Sequence, residues 1–105
     1  MTPLRLVYIT TENREQALAL GRALVERRLA ACINVLGGMT SIYHWQGHIE
    51  ESTEAVLLAK TDESRVDALV AAVKELHSYD VPCALVLPIV GGNPDYLDWL
   101  ATGLK

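Results

Sequence analysis

The spacing of apolar residues changes along this chain, and each change marks a predicted element. Residues 4–10 are apolar and β-branched, which predicts a short buried strand. From Asn13 the apolar positions recur every three or four residues, which predicts a helix capped by Asn13 with Gln16 as its reciprocal partner. The same spacing returns in residues 66–76 and predicts a second helix, for which Thr61 or Asp62 is the expected cap.

The stretch between these helices has the pattern of a β-hairpin. Gln46-Gly47 separates two runs rich in β-branched and aromatic residues, and a glycine at the second turn position tolerates positive φ. A two-residue turn here pairs the flanking residues directly. We therefore expect Trp45 to face His48 and Tyr43 to face Glu50.

The predicted hairpin is too long for one small body to cover. Its first arm, residues 31–46, would reach about 50 Å if fully extended, whereas a domain of this size has a radius of gyration of about 13 Å. Gly37-Gly38 is expected to interrupt the arm with a bulge or bend. We expect the tip to project as a subunit contact, because several of its residues are apolar: Ile42, Tyr43, Trp45 and Ile49.

The C-terminal third predicts one more strand and a short helix. Residues 83–90 form an almost uninterrupted apolar run, which is typical of a strand buried on both faces. Pro88 suggests a bulge or the end of regular pairing in this run. Asn93-Pro94-Asp95 has the residues of a helix start, and an amphipathic pattern follows it.

The predicted order is β-α-β-β-α-β followed by a small helix. This order is that of the ferredoxin-like α+β sandwich, in which two helices cover one face of an antiparallel sheet, here with a long hairpin between the second and third strands. Residues 1–105 are expected to form a single domain. In residues 55–59 the side chains directed to either face of the strand are apolar, so the sheet face without helices is expected to be apolar too. Such a face needs a partner, which a cyclic homo-oligomer supplies.

Composition narrows the function classes. The net charge of −4 gives no electrostatic basis for binding nucleic acid. No apolar run approaches the roughly 18 residues of a membrane span, and no export signal is visible, so we expect a cytoplasmic protein without membrane partners. Two cysteines are too few for a disulfide framework, and we expect both thiols to be reduced.

Five segments, taken together and in order, resemble the CutA family of divalent-cation tolerance proteins across essentially the whole chain. They are Arg28-Leu29-Ala30-Ala31-Cys32-Ile33-Asn34, Ser41-Ile42-Tyr43-His44-Trp45-Gln46-Gly47-His48-Ile49, Glu54 with Lys60-Thr61, His77-Ser78-Tyr79-Asp80-Val81-Pro82, and Leu87-Pro88-Ile89 with Tyr96-Leu97-Asp98-Trp99-Leu100. The resemblance implies a ferredoxin-like subunit in a cytoplasmic homotrimer. It also implies binding of copper and other divalent metals.

Two positions depart from the family pattern. Ser78 stands where a proline is usual, and Cys83 stands where a glutamate is common. If that acid ligated a hard cation, a thiol in its place would shift preference toward softer ions such as Cu(I) or Zn(II).

The candidate metal ligands are His77, Cys32 and Cys83. His77 matches the family's His-x-Tyr position, although a histidine that ends a helix is also a structural hydrogen-bonding group. Cys32 is expected on an interior strand, as a small buried hydrophobe or a ligand. Cys83 would join Asp80 and His77 if the loop folds back. His44 and His48 lie on either side of a two-residue turn, which is the wrong geometry for sharing a metal ion. The alternative is that the hairpin tip contacts another subunit or is exposed to solvent.

A second candidate site is a cleft between subunits. Glu54 and Lys60 share one alternation of the second arm and therefore one sheet face. They form either a solvated pair at a subunit edge or a polar cluster with Tyr43, Trp45 and Tyr79 that lines the cleft, because buried charges need partners.

These observations predict a trimeric, non-enzymatic protein that binds copper, zinc or another divalent metal ion and needs no organic cofactor. The alternative is a PII-like scaffold for a small ligand, although PII-type proteins carry a long loop where this chain has a two-residue turn. An acylphosphatase would share the topology. It needs a glycine-rich anion cradle with an arginine, and residues 10–13 contain no glycine and carry an acid.

Overall fold

The computed structural model describes residues 2–105 as four strands and three α-helices in the predicted order. The elements are β1 (Leu4–Thr11), α1 (Arg14–Glu26), β2 (Cys32–Trp45), β3 (His48–Asp62), α2 (Val66–Leu76), β4 (Ala84–Pro88) and α3 (Pro94–Gly103), with a 3₁₀ turn (Glu63–Arg65) before α2. The strands form one antiparallel sheet in the order β2-β3-β1-β4. The predicted α+β, ferredoxin-like architecture is confirmed.

The long hairpin has the predicted register. Trp45 pairs with His48 and Tyr43 with Glu50, and the register shifts between Leu36 and Met39, where Gly37-Gly38 forms the bulge. Both turn residues, Gln46 and Gly47, have positive φ of 49° and 82°, as the mirror-image two-residue turn requires. The hairpin projects from the sheet, and the longest dimension of the molecule is 45 Å.

Helix α1 begins as predicted and lies close to the sheet. The Asn13 side chain accepts a hydrogen bond from the Gln16 amide at 2.8 Å, and the Gln16 side chain accepts one from the Glu12 amide at 3.1 Å. The reciprocal bond therefore reaches Glu12 instead of the predicted Asn13. A β-carbon on Gly21 would meet Ile33 Cγ2 at 2.7 Å, so this glycine permits the close approach of helix and sheet.

The core lies between the sheet and the first two helices. Alternate residues of β1 and β3, which point to the helix side, are fully buried there together with the inner faces of α1 and α2. The central buried side chains are Val7, Ile9, Leu20, Leu24, Leu57, Leu69 and Val73. None of the helices in residues 2–105 has the length and hydrophobicity needed to cross a bilayer.

Two predictions about local structure are wrong. Asp62 does not cap α2 directly, because the 3₁₀ turn intervenes and its carboxylate accepts hydrogen bonds from Ser64 and Arg65 instead. Strand β4 is not buried on both faces in one chain, as the apolar run of residues 83–90 predicted: it covers Ala84–Pro88 only, lies at the sheet edge beside β1, and leaves Leu85 59% exposed. A continuous apolar run does not distinguish a central strand from an edge strand that has no neighbour within its own chain.

Candidate functional site: an acidic and aromatic groove beside the hairpin

A groove of about 770 Å³ lies between the hairpin and the loop that follows α2. The hairpin contributes Tyr43, Trp45, Glu50 and Glu54 to its lining. The loop contributes a second set, which includes Tyr79, Asp80 and Cys83. A volume of this size is within the range of pockets that hold small organic molecules.

The alternation of the strands explains why the hairpin residues share the groove. Glu50 and Glu54 are four positions apart on β3, an even offset, and therefore point to the same face. Tyr43 lies on that face as well because it is the register partner of Glu50. Trp45, two residues further along β2, extends the aromatic wall.

Glu54 is the most enclosed charged group of the groove. Glu54 is only 9% exposed, and its Oε2 accepts a hydrogen bond of 3.0 Å from the Tyr79 hydroxyl. Burial raises the pKa of Tyr79 to about 12, and the hydrogen bond to Glu54 with its negative charge adds to the shift. This stabilisation is fully present below the ordinary tyrosine pKa of 10.0 and is lost as pH rises through about 12, so Tyr79 is a neutral donor near pH 7.

The groove carries negative charge without a compensating cation. Glu50, Glu54 and Asp80 line it, and no lysine, arginine or histidine is among its lining residues. Within residues 2–105, none of these three carboxylates takes part in an ion pair. The arrangement therefore attracts cations and repels anions.

His77 supports the groove and does not line it. Its Nε2 lies 2.7 Å from the Thr10 carbonyl oxygen, and its Nδ1 accepts a hydrogen bond of 3.0 Å from the Tyr79 amide. A carbonyl only accepts, so these partners place the single ring proton on Nε2 and occupy the lone pair of Nδ1. Metal ligation by His77 would require one of these hydrogen bonds to break.

The two thiols lie in different surroundings. Both cysteines are free and partly exposed. Cys83 lines the groove near carboxylates, whereas Cys32 Sγ lies 4.0 Å from the ammonium nitrogen of Lys60. The two predicted thiol ligands and His77 are therefore not brought to one point in a single chain.

Lys60 lies at the other end of β3 from the predicted cleft cluster. It is six positions from Glu54, which is about 20 Å along an extended strand. Its ammonium donates a 3.0 Å hydrogen bond to the Tyr96 hydroxyl, which raises the pKa of Lys60, and lies 5.2 Å from the centre of that ring. The structure thus brings Tyr43, Trp45, Glu54 and Tyr79 together and places Lys60 elsewhere.

No preformed metal centre is present in one copy of the described chain. Among residues 2–105, no three histidine, cysteine, aspartate or glutamate side chains gather closely enough to hold a metal ion. His44 and His48 lie on opposite faces of the hairpin, because Trp45, the neighbour of His44, is the register partner of His48. The Cys83, Asp80 and His77 cluster likewise does not form within these residues.

Sequence reasoning missed Glu50 as a lining residue. The signal was available, because the predicted pairing of Tyr43 with Glu50 and the even separation from Glu54 place Glu50 on the groove face. The enclosure of Glu54 by Tyr79 was less accessible, since it depends on how the loop after α2 folds back against the hairpin.

Comparisons with known proteins agree with the fold. Residues 5–103 match the model of the CutA1 divalent ion tolerance protein family. A divalent-cation tolerance protein CutA from Thermus thermophilus is 50% identical over 95 residues, which cover 90% of this chain and 92% of that protein. The chloroplastic protein CutA 1 of Oryza sativa is 44% identical over 103 residues, 98% of this chain but only 58% of that longer protein.

Solved structures show the same fold over nearly the full chain. CutA1 from Oryza sativa superposes with a TM-score of 0.96 at 41% identity, covering 99% of this chain and 95% of that one. A protein described as the periplasmic divalent cation tolerance protein CutA from Archaeoglobus fulgidus superposes with a TM-score of 0.93 at 33% identity, covering 97% and 99%. From the family match over residues 5–103, this chain belongs to the CutA1 divalent ion tolerance protein family.

Proposed function

We propose that this protein is a non-enzymatic homotrimer that binds copper or another divalent metal ion and contributes to the response to metal ions. The observation that carries the proposal is the family match over residues 5–103 combined with an acidic groove that contains a free thiol. The relatives are named as tolerance proteins and not as enzymes. A cytoplasmic location accords with the two unpaired thiols.

A second copy of the chain is needed to complete the metal site. One copy offers carboxylates and the Cys83 thiol in the groove but no set of three ligands within residues 2–105. The exposed leucines of β4 and the apolar hairpin tip are surfaces through which copies can associate. Ligands from two chains would then meet at the groove.

Cys83 is better suited to a metal ion than Cys32. A divalent ion at Cys32 would approach the Lys60 ammonium, which lies 4.0 Å from the sulfur, and like charges at that distance repel. Cys83 shares its groove with three carboxylates instead. A thiolate beside carboxylates favours Zn(II) or Cu(I) over harder ions.

Sedimentation equilibrium tests the oligomeric state. We expect a mass of three 11.5 kDa chains at micromolar concentration, in the presence and in the absence of copper. An apolar edge strand and tip left open to water give the physical reason. A stable monomer under these conditions would contradict both the trimer and a site completed by a second copy.

Calorimetric titration with Zn(II) and Cu(II) tests the metal site. We expect Cys83→Ser to weaken Zn(II) binding by about tenfold, because a serine hydroxyl is a much poorer ligand than a thiolate. Cys32→Ser is the matched control and should leave the affinity within about twofold. Equal losses in both variants, or no saturable binding by the unaltered protein, would overturn the proposal.

The groove also supports the alternative function, a PII-like scaffold for a small organic ligand. Its volume of about 770 Å³ and its aromatic wall suit such a ligand better than they suit a bare ion. Its carboxylates argue against nucleotides, whose phosphates they would repel. Thermal-shift measurements with metabolites and with metals separate the two functions, because stabilisation by an organic compound alone favours the scaffold.

A further inference from the structure

We draw no further inference here: the strongest candidate, the open groove of about 690 Å³ that Arg14, Leu18 and Val25 of α1 form with the edge strand β2, carries no proposal because nothing in the structure shows what covers it.

Discussion

Replacing His77 with alanine should lower the free energy of unfolding by about 2–3 kcal/mol, which is a larger loss than an exposed histidine would cause. The imidazole is the hydrogen-bond partner of the Thr10 carbonyl oxygen and of the Tyr79 amide, and alanine leaves both without it. The lost ring also leaves a void beside Tyr79, which lies 4.8 Å away between ring centres. Urea denaturation at fixed protein concentration measures the change.

The control for this substitution is His44→Ala on the exposed face of the hairpin, which should cost less than about 0.5 kcal/mol. His77→Gln keeps a donor on a side chain of similar reach and should recover part of the loss. If His77→Ala were as stable as the unaltered protein, the structural role would be excluded. A selective loss of metal binding at unchanged stability would instead make His77 a ligand.

Arg65→Ala should destabilise the protein by about 3 kcal/mol. The guanidinium donates to Asp62 at 2.7 Å, to the Arg28 carbonyl at 3.1 Å and to the Leu104 carbonyl. It thereby joins the start of α2, the turn after α1 and the segment that follows α3. Its loss leaves the Asp62 carboxylate, 7% exposed, without a counterion. The expected value lies at the low end for a buried pair, because the Arg65 side chain is 29% exposed.

The matched control is Arg27→Ala, which removes an exposed ion pair with Glu75 and should cost less than about 0.5 kcal/mol. Arg65→Lys keeps the positive charge but not the fork of donors, so it should recover less than half of the loss. Thermal or urea unfolding compares the three variants. Equal effects at Arg27 and Arg65 would show that the carbonyl contacts of Arg65 add nothing.

The hairpin could be predicted because its determinants are local. Gln46-Gly47 specifies the turn, the turn specifies the register, and the register places Tyr43 opposite Glu50. Gly37-Gly38 marks the bulge for the same reason. Local chemistry also identified Asn13 as the cap of α1.

The exposure of β4 in one chain could not be predicted in this way. Its apolar residues fit either a strand whose faces are buried within the chain or an edge strand that other copies cover, and the pattern alone is the same in both cases. The structure of one chain shows the edge position, with Leu85 and Leu87 exposed. The two central strands, which pair on both sides, are β1 and β3.

The groove was predicted in part. The alternation of β2 and β3 placed Tyr43, Trp45 and Glu54 on one face, as the structure shows. The same alternation also suggested Lys60. Alternation shows which face of the strand a side chain is on, but not how far along the strand it lies, and Lys60 lies beside Tyr96. The role of Arg65 was missed because its carbonyl partners, in residues 28 and 104, are far away in sequence.

The central position of β1 has a consequence for the order of synthesis. β1 is made before the other three strands of the sheet, yet its partners lie in residues 55–62 and 84–88. The middle of the sheet therefore stays open on both sides until much of the chain has been translated. Non-local pairing of this kind slows folding. Newly made β1 must therefore avoid aggregation until its partner strands exist. The β2-β3 hairpin, which can close from its own turn, forms before β1 pairs with it.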